Sequence, residues 1–409
     1  MRTPIRQASS THISQSLLPT PEVGTHQTPV PVALLGGTGL SGRVLYSILS
    51  NHPTFQCVSV IGSSASEGRR FEEIWEEKEK KLRELHRNVG YECLPFPSSS
   101  NDGAVRPVAF EAFLSLHTPS SVKFVFSTIA PSLGFLETRL TCQGFTVVSI
   151  SPHGRLPSNT FVLEHSLASL PMAPMSLYKS PNCVVCGLTP VLSCLVSNLH
   201  LIGLEVSGLT VTTMQSLTGR GDSPYDSELC VGNMLPVGQI EDTEQYITSE
   251  LKGLFDFPSS VPVDVRCYRG GAARCHIIDL RVSVGGIEDL QVQPDDVKKW
   301  CENYNPCKEY YDLASKAGVH TTKAEKTPIH FSSNKTGMLQ SSVKGMAVVV
   351  TNLAIQENTI KMTVMVDNLI KGAAGAVLQL AEWVEAGKRL GLSSSSSSPS
   401  PSSSLSSAT

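Results

Sequence analysis

Val32-Ala-Leu-Leu-Gly36-Gly37-Thr38-Gly39-Leu40-Ser41-Gly42 decides the fold. Val32 to Leu35 is a short apolar strand, Gly36 to Gly42 a turn, and Leu40 to Asn51 a helix that stops at His52-Pro53. Cys57 to Ile61 is a second strand, so the segment reads strand, turn, helix, strand, the opening of a doubly wound sheet. Gly36 permits the tight turn, Gly39 lets backbone approach a pyrophosphate, and Gly42 lets the helix pack closely. The helix start adds N–H groups and the positive end of a dipole. Gly36, Thr38, Gly39, Leu40, Ser41 and Gly42 are therefore candidate dinucleotide contacts.

The end of the second strand discriminates the cofactor. An NAD site usually places an acid there to hold the ribose hydroxyls. Here the chain runs Gly62-Ser63-Ser64-Ala65-Ser66-Glu67-Gly68-Arg69-Arg70. Hydroxyls and guanidinium forks suit a 2′-phosphate. NADP is the preferred cofactor, with Ser64, Ser66 and Arg69 as candidate contacts.

Outward from this unit, Phe71 to Arg87 carries opposite charges at helical spacing and reads as a solvated helix without a role in chemistry. Val122 to Thr128 and Phe145 to Ser151 read as further strands of the first sheet. After Asn182 the pattern changes. Glu205 to Met214, Val261 to Tyr268, His276 to Val284, Ala347 to Leu353 and Ile360 to Val366 suggest a mixed or antiparallel second sheet, and Gly372 to Lys388 a strong helix. The expected class is α/β. A Rossmann-like dinucleotide-binding domain spans 31–181, an α+β catalytic and dimerisation domain 182–366, and a C-terminal helix at 367–390 returns to the first domain.

Residues 1–30 are expected to be a disordered leader or a transit peptide, and 391–409 a disordered serine-rich tail. The expected compartment is the cytoplasm, with plastid or mitochondrion as the alternative through 1–30. A net charge of −3 and 17% charged residues argue against a nucleic-acid or anionic-membrane partner resting on bulk charge. The 11 scattered cysteines fit free thiols better than a disulfide framework. No run of 18 apolar residues is uninterrupted, and the apolar stretch Cys183 to Leu204 is expected to be a buried helix.

Asn182-Cys183-Val184-Val185-Cys186 opens that helix. A helix N-terminus favours a thiolate, which makes Cys183 a candidate nucleophile. Cys-x-x-Cys also invites a zinc or redox reading, but the sequence has no second pair at ligand spacing, and no metal is expected. Arg220-Gly221-Asp222 is discounted as a chance tripeptide.

Several blocks in order resemble the aspartate-semialdehyde dehydrogenases, nearest their fungal and archaeal branch. These are the glycine turn, Asn-His-Pro at 51–53, Ser-Pro-Asn-Cys at 180–183, and Thr-Thr-Met-Gln-Ser-Leu-Thr-Gly-Arg-Gly at 212–221. Cys-Tyr-Arg at 267–269, a histidine seven residues later, and Asp-Asn-Leu-Ile-Lys-Gly-Ala-Ala-Gly-Ala at 367–376 complete them. The resemblance implies NADP-dependent reductive dephosphorylation of aspartyl phosphate to aspartate semialdehyde, a step toward lysine, methionine and threonine, through a Cys183 thioester. It implies that Gln215 orients the reacting groups and that His276 is a general acid/base, a task for which a pKa near neutral is useful. It assigns Arg269 to the substrate carboxylate, Arg155 and Asn182 to phosphate, Glu241 to the substrate amino group and Asn368 to the nicotinamide end. A homodimer or homotetramer is implied as well.

The chain departs from that pattern where the resemblance expects a lysine, at Glu244, and a glycine, at Cys275. Ile278, Ile150, Val184 and Val185 depart too. A catalytically impaired nucleotide-binding paralogue, or a reductase of another acyl phosphate, is the alternative; a thiol redox protein built on Cys183 and Cys186 is the weakest reading.

Overall fold

The computed structural model describes residues 28–89, 91–97, 105–166, 175–220, 230, 233–238, 242–287, 291–321, 329–331 and 345–391. Residues 1–27 of the leader, 392–409 of the serine-rich tail, Gly221-Asp222 and Glu241 lie outside them, whereas Val30, placed in the leader by sequence, is buried and opens the first strand.

Five strands form the first sheet: β1 (Val30–Leu35), β2 (Phe55–Ile61), β3 (Phe124–Ser127), β4 (Val147–Ser149) and β5 (Leu177–Lys179). Their order is β2-β1-β3-β4-β5, and every pairing is parallel. Parallel strands buried on both faces read as continuous apolar runs, which is why Val32 to Leu35 and Phe124 to Phe126 are buried throughout. Helices α1 (Leu40–Leu49), α2 (Phe71–Leu85), α3 (Phe110–Leu116), α4 (Phe135–Cys142) and the short α5 (Leu163–Ser166) complete this half.

The solvated reading of Phe71 to Arg87 is corrected. Phe71, Ile74, Trp75, Glu79 and Leu82 of α2 are buried, an apolar stripe that its dense charges conceal. Glu79 takes the buried Arg43 guanidinium of α1 at 3.0 Å, and Tyr91 Oη and Leu94 N also donate to it. Removing one partner of such a buried pair typically costs about 3–5 kcal/mol.

α6 (Cys183–Leu201) is the core of the second half and, among the described residues, the one helix long and apolar enough to cross a membrane. Its Val184, Val185, Leu188, Val191, Leu192 and Leu195 pack instead under the second sheet. That sheet has the order β10-β11-β12-β9-β6-β8-β7. Its strands are β6 (Val206–Gln215), β7 (Leu235–Pro236), β8 (Val263–Arg269), β9 (His276–Val284), β10 (Ile329–Phe331), β11 (Val348–Gln356) and β12 (Thr359–Val366). β6 runs parallel to β8 and antiparallel to β9, so the expected mixed sheet is present. Helices α7 (Thr243–Leu254), α8 (Pro294–Asn303) and α9 (Cys307–Lys316) interrupt the strands.

The last helix, α10 (Gly375–Arg389), returns to the first domain: Val377, Leu378, Ala381 and Trp383 join the core of β1 and α1. His52 locks it in place. Its Nδ1 accepts Thr54 N and Phe55 N, which leaves Nε2 to donate to Glu382 at 2.9 Å. α9 goes with it, since Tyr310 donates to the same Glu382. Residues 307–316, placed by sequence within the second domain, thus pack on the first.

Candidate active site

The site is built from element ends. Gln215 and Arg269 are the last residues of neighbouring parallel strands and face each other in register. His276 is the first residue of the antiparallel β9, and Cys183 the first of α6. Strand direction brings Gln215, Arg269 and His276 to one end of the sheet, and the start of α6 adds Cys183.

Asn182 caps α6, its Oδ1 accepting Val184 N at 2.9 Å. The Cys183 thiol points at the same oxygen, 3.6 Å away, and its Sγ lies 3.1 Å from His276 Nε2. His276 is buried, and its Nδ1 faces Ser216 N at 3.0 Å. Arg269 is buried as well, and its Nη1 donates to Ser216 O at 2.7 Å. Gln215 donates to Thr213 Oγ1 at 3.2 Å. Gly219, in the turn Leu217–Arg220, passes directly over the group. A Cβ there would lie 2.8 Å from Arg269 Nη1 and 3.0 Å from His276 Cε1, so only glycine leaves this space open.

Two electrostatic expectations are corrected. Burial, with a smaller contribution from the nearby Cys186, pushes the Cys183 thiol up to about 12, Arg269 and Arg155 only partly offsetting it. Burial, helped by the Arg269 charge, depresses His276 to about 3 rather than leaving it near neutral. At rest the pair is a neutral thiol facing a neutral imidazole.

Arg155 lies beside this centre, where its charge reaches Cys183. Its Nη1 donates to Glu250 of α7 at 2.8 Å and its Nη2 to Ile150 O. Glu250 also accepts Asn182 N, and burial raises its pKa. Sequence reasoning missed Glu250. Glu244, six residues earlier and thus on another face of α7, accepts Cys267 N at 2.8 Å and secures the edge of β8 instead.

Asn368 does not present a free amide to a cofactor. It is buried, its Oδ1 accepts Ser216 Oγ at 3.1 Å and Cys275 N at 2.9 Å, and its Nδ2 donates to Thr218. The block around it explains itself residue by residue. Asp367 caps the π-turn Ile370–Ala374 through Leu369 N and Ile370 N, and pairs with Arg274 at 2.7 Å. Lys371 pairs with the buried Glu164. Gly372 presses on the nucleophile, since a Cβ there would meet Cys183 Cβ at 2.5 Å. Cys275 holds φ +73°, which explains why the resemblance expects glycine at that position.

At the glycine turn, Gly36 has φ +80°, and a Cβ on Gly42 would strike Gly36 O at 2.4 Å. A Cβ on Gly39 would meet only Gly36 O, at 3.4 Å, so the mouth of the turn is open beside the first N–H groups of α1. These residues fit a pyrophosphate. In the loop after β2, Ser66 is buried against Ser63 Oγ, Ser64 is exposed, and Arg69 forms an exposed pair with Glu77 at 2.8 Å. Such a surface pair is weak and exchangeable. Arg106, outside the sequence-based candidates, donates to Gly68 O and adds a further guanidinium beside Arg69 and Arg70.

An open nucleotide turn, a second domain presenting Cys, His, Gln and Arg at one sheet end, and a returning helix together define a two-domain dehydrogenase. Residues 31–93 match the family described as semialdehyde dehydrogenase, NAD binding domain. The chain is 23% identical over 379 residues to an aspartate-semialdehyde dehydrogenase of Methanothermobacter thermautotrophicus, covering 87% of this chain and 99% of that protein. It is 24% identical over 382 residues to a malonyl CoA reductase (NADP) of Metallosphaera sedula, covering 86% and 95%. In fold it is similar to the crystal structure of aspartate semialdehyde dehydrogenase with NADP from Candida albicans, with a TM-score of 0.63 and 20% identity over 88% of this chain and 100% of that one. Over nearly its whole length the chain is thus similar to aspartate-semialdehyde dehydrogenases, at low identity.

Proposed function

We propose that this chain is an NADP-dependent reductase that converts aspartyl 4-phosphate into aspartate 4-semialdehyde through a thioester on Cys183. The observation that carries the reading is the 3.1 Å approach of Cys183 Sγ to His276 Nε2, with Arg269 at the adjoining strand end. Sγ attacks the acyl carbon; the carbon–sulfur bond forms, the carbon–oxygen bond to phosphate breaks, and the thiol proton leaves on the phosphate. Arg269 and Arg155 hold the anionic ends of the substrate, and Gln215 and Asn182 orient it. NADPH, held by the Gly36–Gly42 turn and the Ser64–Arg69 loop, supplies the hydride. His276 faces the oxygen that becomes negative as the thioester is reduced. Collapse returns the sulfur as a thiol with one proton from solvent.

The Arg155–Glu250 pair supports a second reading. A carboxylate 2.8 Å from the expected phosphate-binding cation neutralises it, which would suit an acyl thioester with a thiolate leaving group. The malonyl CoA reductase among the relatives has that chemistry in its name.

One assay separates the readings. Aspartate semialdehyde and NADP are supplied with either phosphate or coenzyme A, and NADPH formation is followed. Turnover with phosphate supports the first, turnover only with coenzyme A replaces it by the second, and none with either while NADP still binds would sink both. Equal use of NAD would refute the role given to Arg69.

A further inference from the structure

We propose that Lys179, a buried lysine outside the reacting centre, is a positioning residue that holds the Arg155 guanidinium at the anion end of the site. The inference rests on Arg155 facing the anionic end of the substrate, and it deepens that reading by naming what fixes the arginine.

Lys179 ends β5 and lies opposite Ser149, the last residue of β4. Its side chain is buried, and all three ammonium hydrogens have partners. Nζ donates to Glu137 Oε2 of α4, to Ser149 Oγ at 3.1 Å and to Ser151 O at 3.3 Å. The Ser149 hydroxyl is saturated too. It donates to Glu137 Oε1 and, besides the lysine, accepts Ser151 N at 2.9 Å. Ile150 is thereby gripped from both sides, and its carbonyl is the one on which Arg155 Nη2 rests.

The same lysine holds the other end of the loop through its backbone. Lys179 N donates to Asn159 O at 2.7 Å, and Lys179 O accepts Phe161 N at 2.9 Å. Asn159 in turn clasps the residues on either side of Arg155. Its Oδ1 accepts Leu156 N at 2.9 Å, and its Nδ2 donates to Gly154 O at 3.0 Å. Residues 150–159 thus form a loop closed at both ends on one residue, with Arg155 between. A buried ion pair is a poor device for stability alone, since apolar side chains of similar volume often serve as well or better. What Lys179 and Glu137 add is direction: five hydrogen bonds among four buried residues admit one arrangement of the loop. Burial pulls the Lys179 pKa down while Glu137 holds it up, so the lysine depends on its partner for its charge. Arg155 carries the result to the nucleophile. Its charge reaches Cys183, and its Nη1 donates to Glu250, which also accepts Asn182 N.

The test alkylates Cys183 with iodoacetate, an anion, and with iodoacetamide, its neutral counterpart. Each rate is read from the Cys183 peptide by mass spectrometry at one fixed pH. Both reagents need the thiolate, so their ratio cancels its abundance and reports the positive field that draws an anion to the sulfur. Arg155→Leu sets the scale, with an expected fall in the iodoacetate to iodoacetamide ratio of about fivefold or more. Lys179→Met strands Glu137 and should lower both the melting temperature and the ratio. Lys179→Met combined with Glu137→Gln removes both charges and should recover most of the melting temperature while the ratio stays down. A ratio restored along with stability in that double variant would make the pair merely structural and overturn the proposal, with the reading of Arg155 left standing. An unchanged ratio in Arg155→Leu would overturn that reading and the proposal with it. Neither readout requires turnover, so the identity of the acyl substrate does not enter.

Discussion

Cys183 Sγ and His276 Nε2 meet at 3.1 Å because α6 begins where β9 begins, at the same end of one sheet. Helix and strand are each anchored apart from the other, by the Asn182 cap and by Ser216 N–H. The contact therefore belongs to the scaffold and does not await a ligand. Exchange of Cys183 for Ser should leave the fold and nucleotide binding intact while lowering kcat by at least about 10³-fold, because an alcohol is a far weaker nucleophile than a thiol. Circular dichroism and NADP titration beside the rate would check this; a Ser variant within tenfold of wild type would refute covalent chemistry at that position.

Gly372 supplies a second prediction. A methyl group at this position would sit 2.5 Å from Cys183 Cβ and 3.1 Å from its Cα, both rigid. Gly372→Ala must then push α6 or the π-turn aside. A misplacement of about 1 Å can cost about 10²-fold in rate, so a fall of that size in kcat is expected, with a smaller change in melting temperature. Unchanged kcat would show that the turn yields freely.

Cys275 tests backbone strain. At φ +73° a side chain costs about 1–2 kcal/mol, and a β-branched one more. Cys275→Gly should remain within about 1 kcal/mol of wild type in urea unfolding, the strain relieved offsetting the added entropy of the unfolded chain. Cys275→Val should lose more than about 2 kcal/mol. A Val variant as stable as wild type would contradict the strained conformation.

Acid should weaken the fold through buried histidines. His86, His165 and His276 are all lowered from the ordinary value, chiefly by burial. The sign follows from proton uptake. Between the folded pKa of His276, about 3, and the unfolded value of 6.5, only the unfolded chain binds the proton. Stability is therefore complete above about pH 6.5 and is lost as pH falls below it, at up to about 1.4 kcal/mol per unit for His276. Urea unfolding at pH 7 and pH 5 should show the loss, and His276→Gln should reduce it. An equal loss in that variant would move the effect elsewhere.

Most of the architecture was legible because its signals are local. The glycine turn, its helix and the β2 strand follow from spacing within thirty residues, and strand ends such as Gln215 and Arg269 mark themselves by where alternation stops. What escaped depends on tertiary direction. Nothing in Ser216 distinguishes it from other strand-end serines until its N–H is seen to face a ring 60 positions away. Glu250 and Glu244 are both helix glutamates; only the rotation of α7 sends one to Arg155 and the other to β8. The charges of α2 outnumber and so mask the narrow apolar stripe of Phe71, Ile74, Trp75 and Leu82. Asn368 was assigned outward to a cofactor, whereas its amide faces inward.

The central claim is that Cys183 carries the acyl group. Protein is mixed with aspartate semialdehyde and NADP in the absence of phosphate, quenched in acid, digested and analysed by mass spectrometry. The semialdehyde should lose a hydride to NADP and leave an acyl group on the peptide containing Cys183, dependent on NADP and discharged when phosphate is added before the quench. NADPH formation at an undiminished rate in Cys183→Ala, or an acyl group on any other residue, would contradict the account.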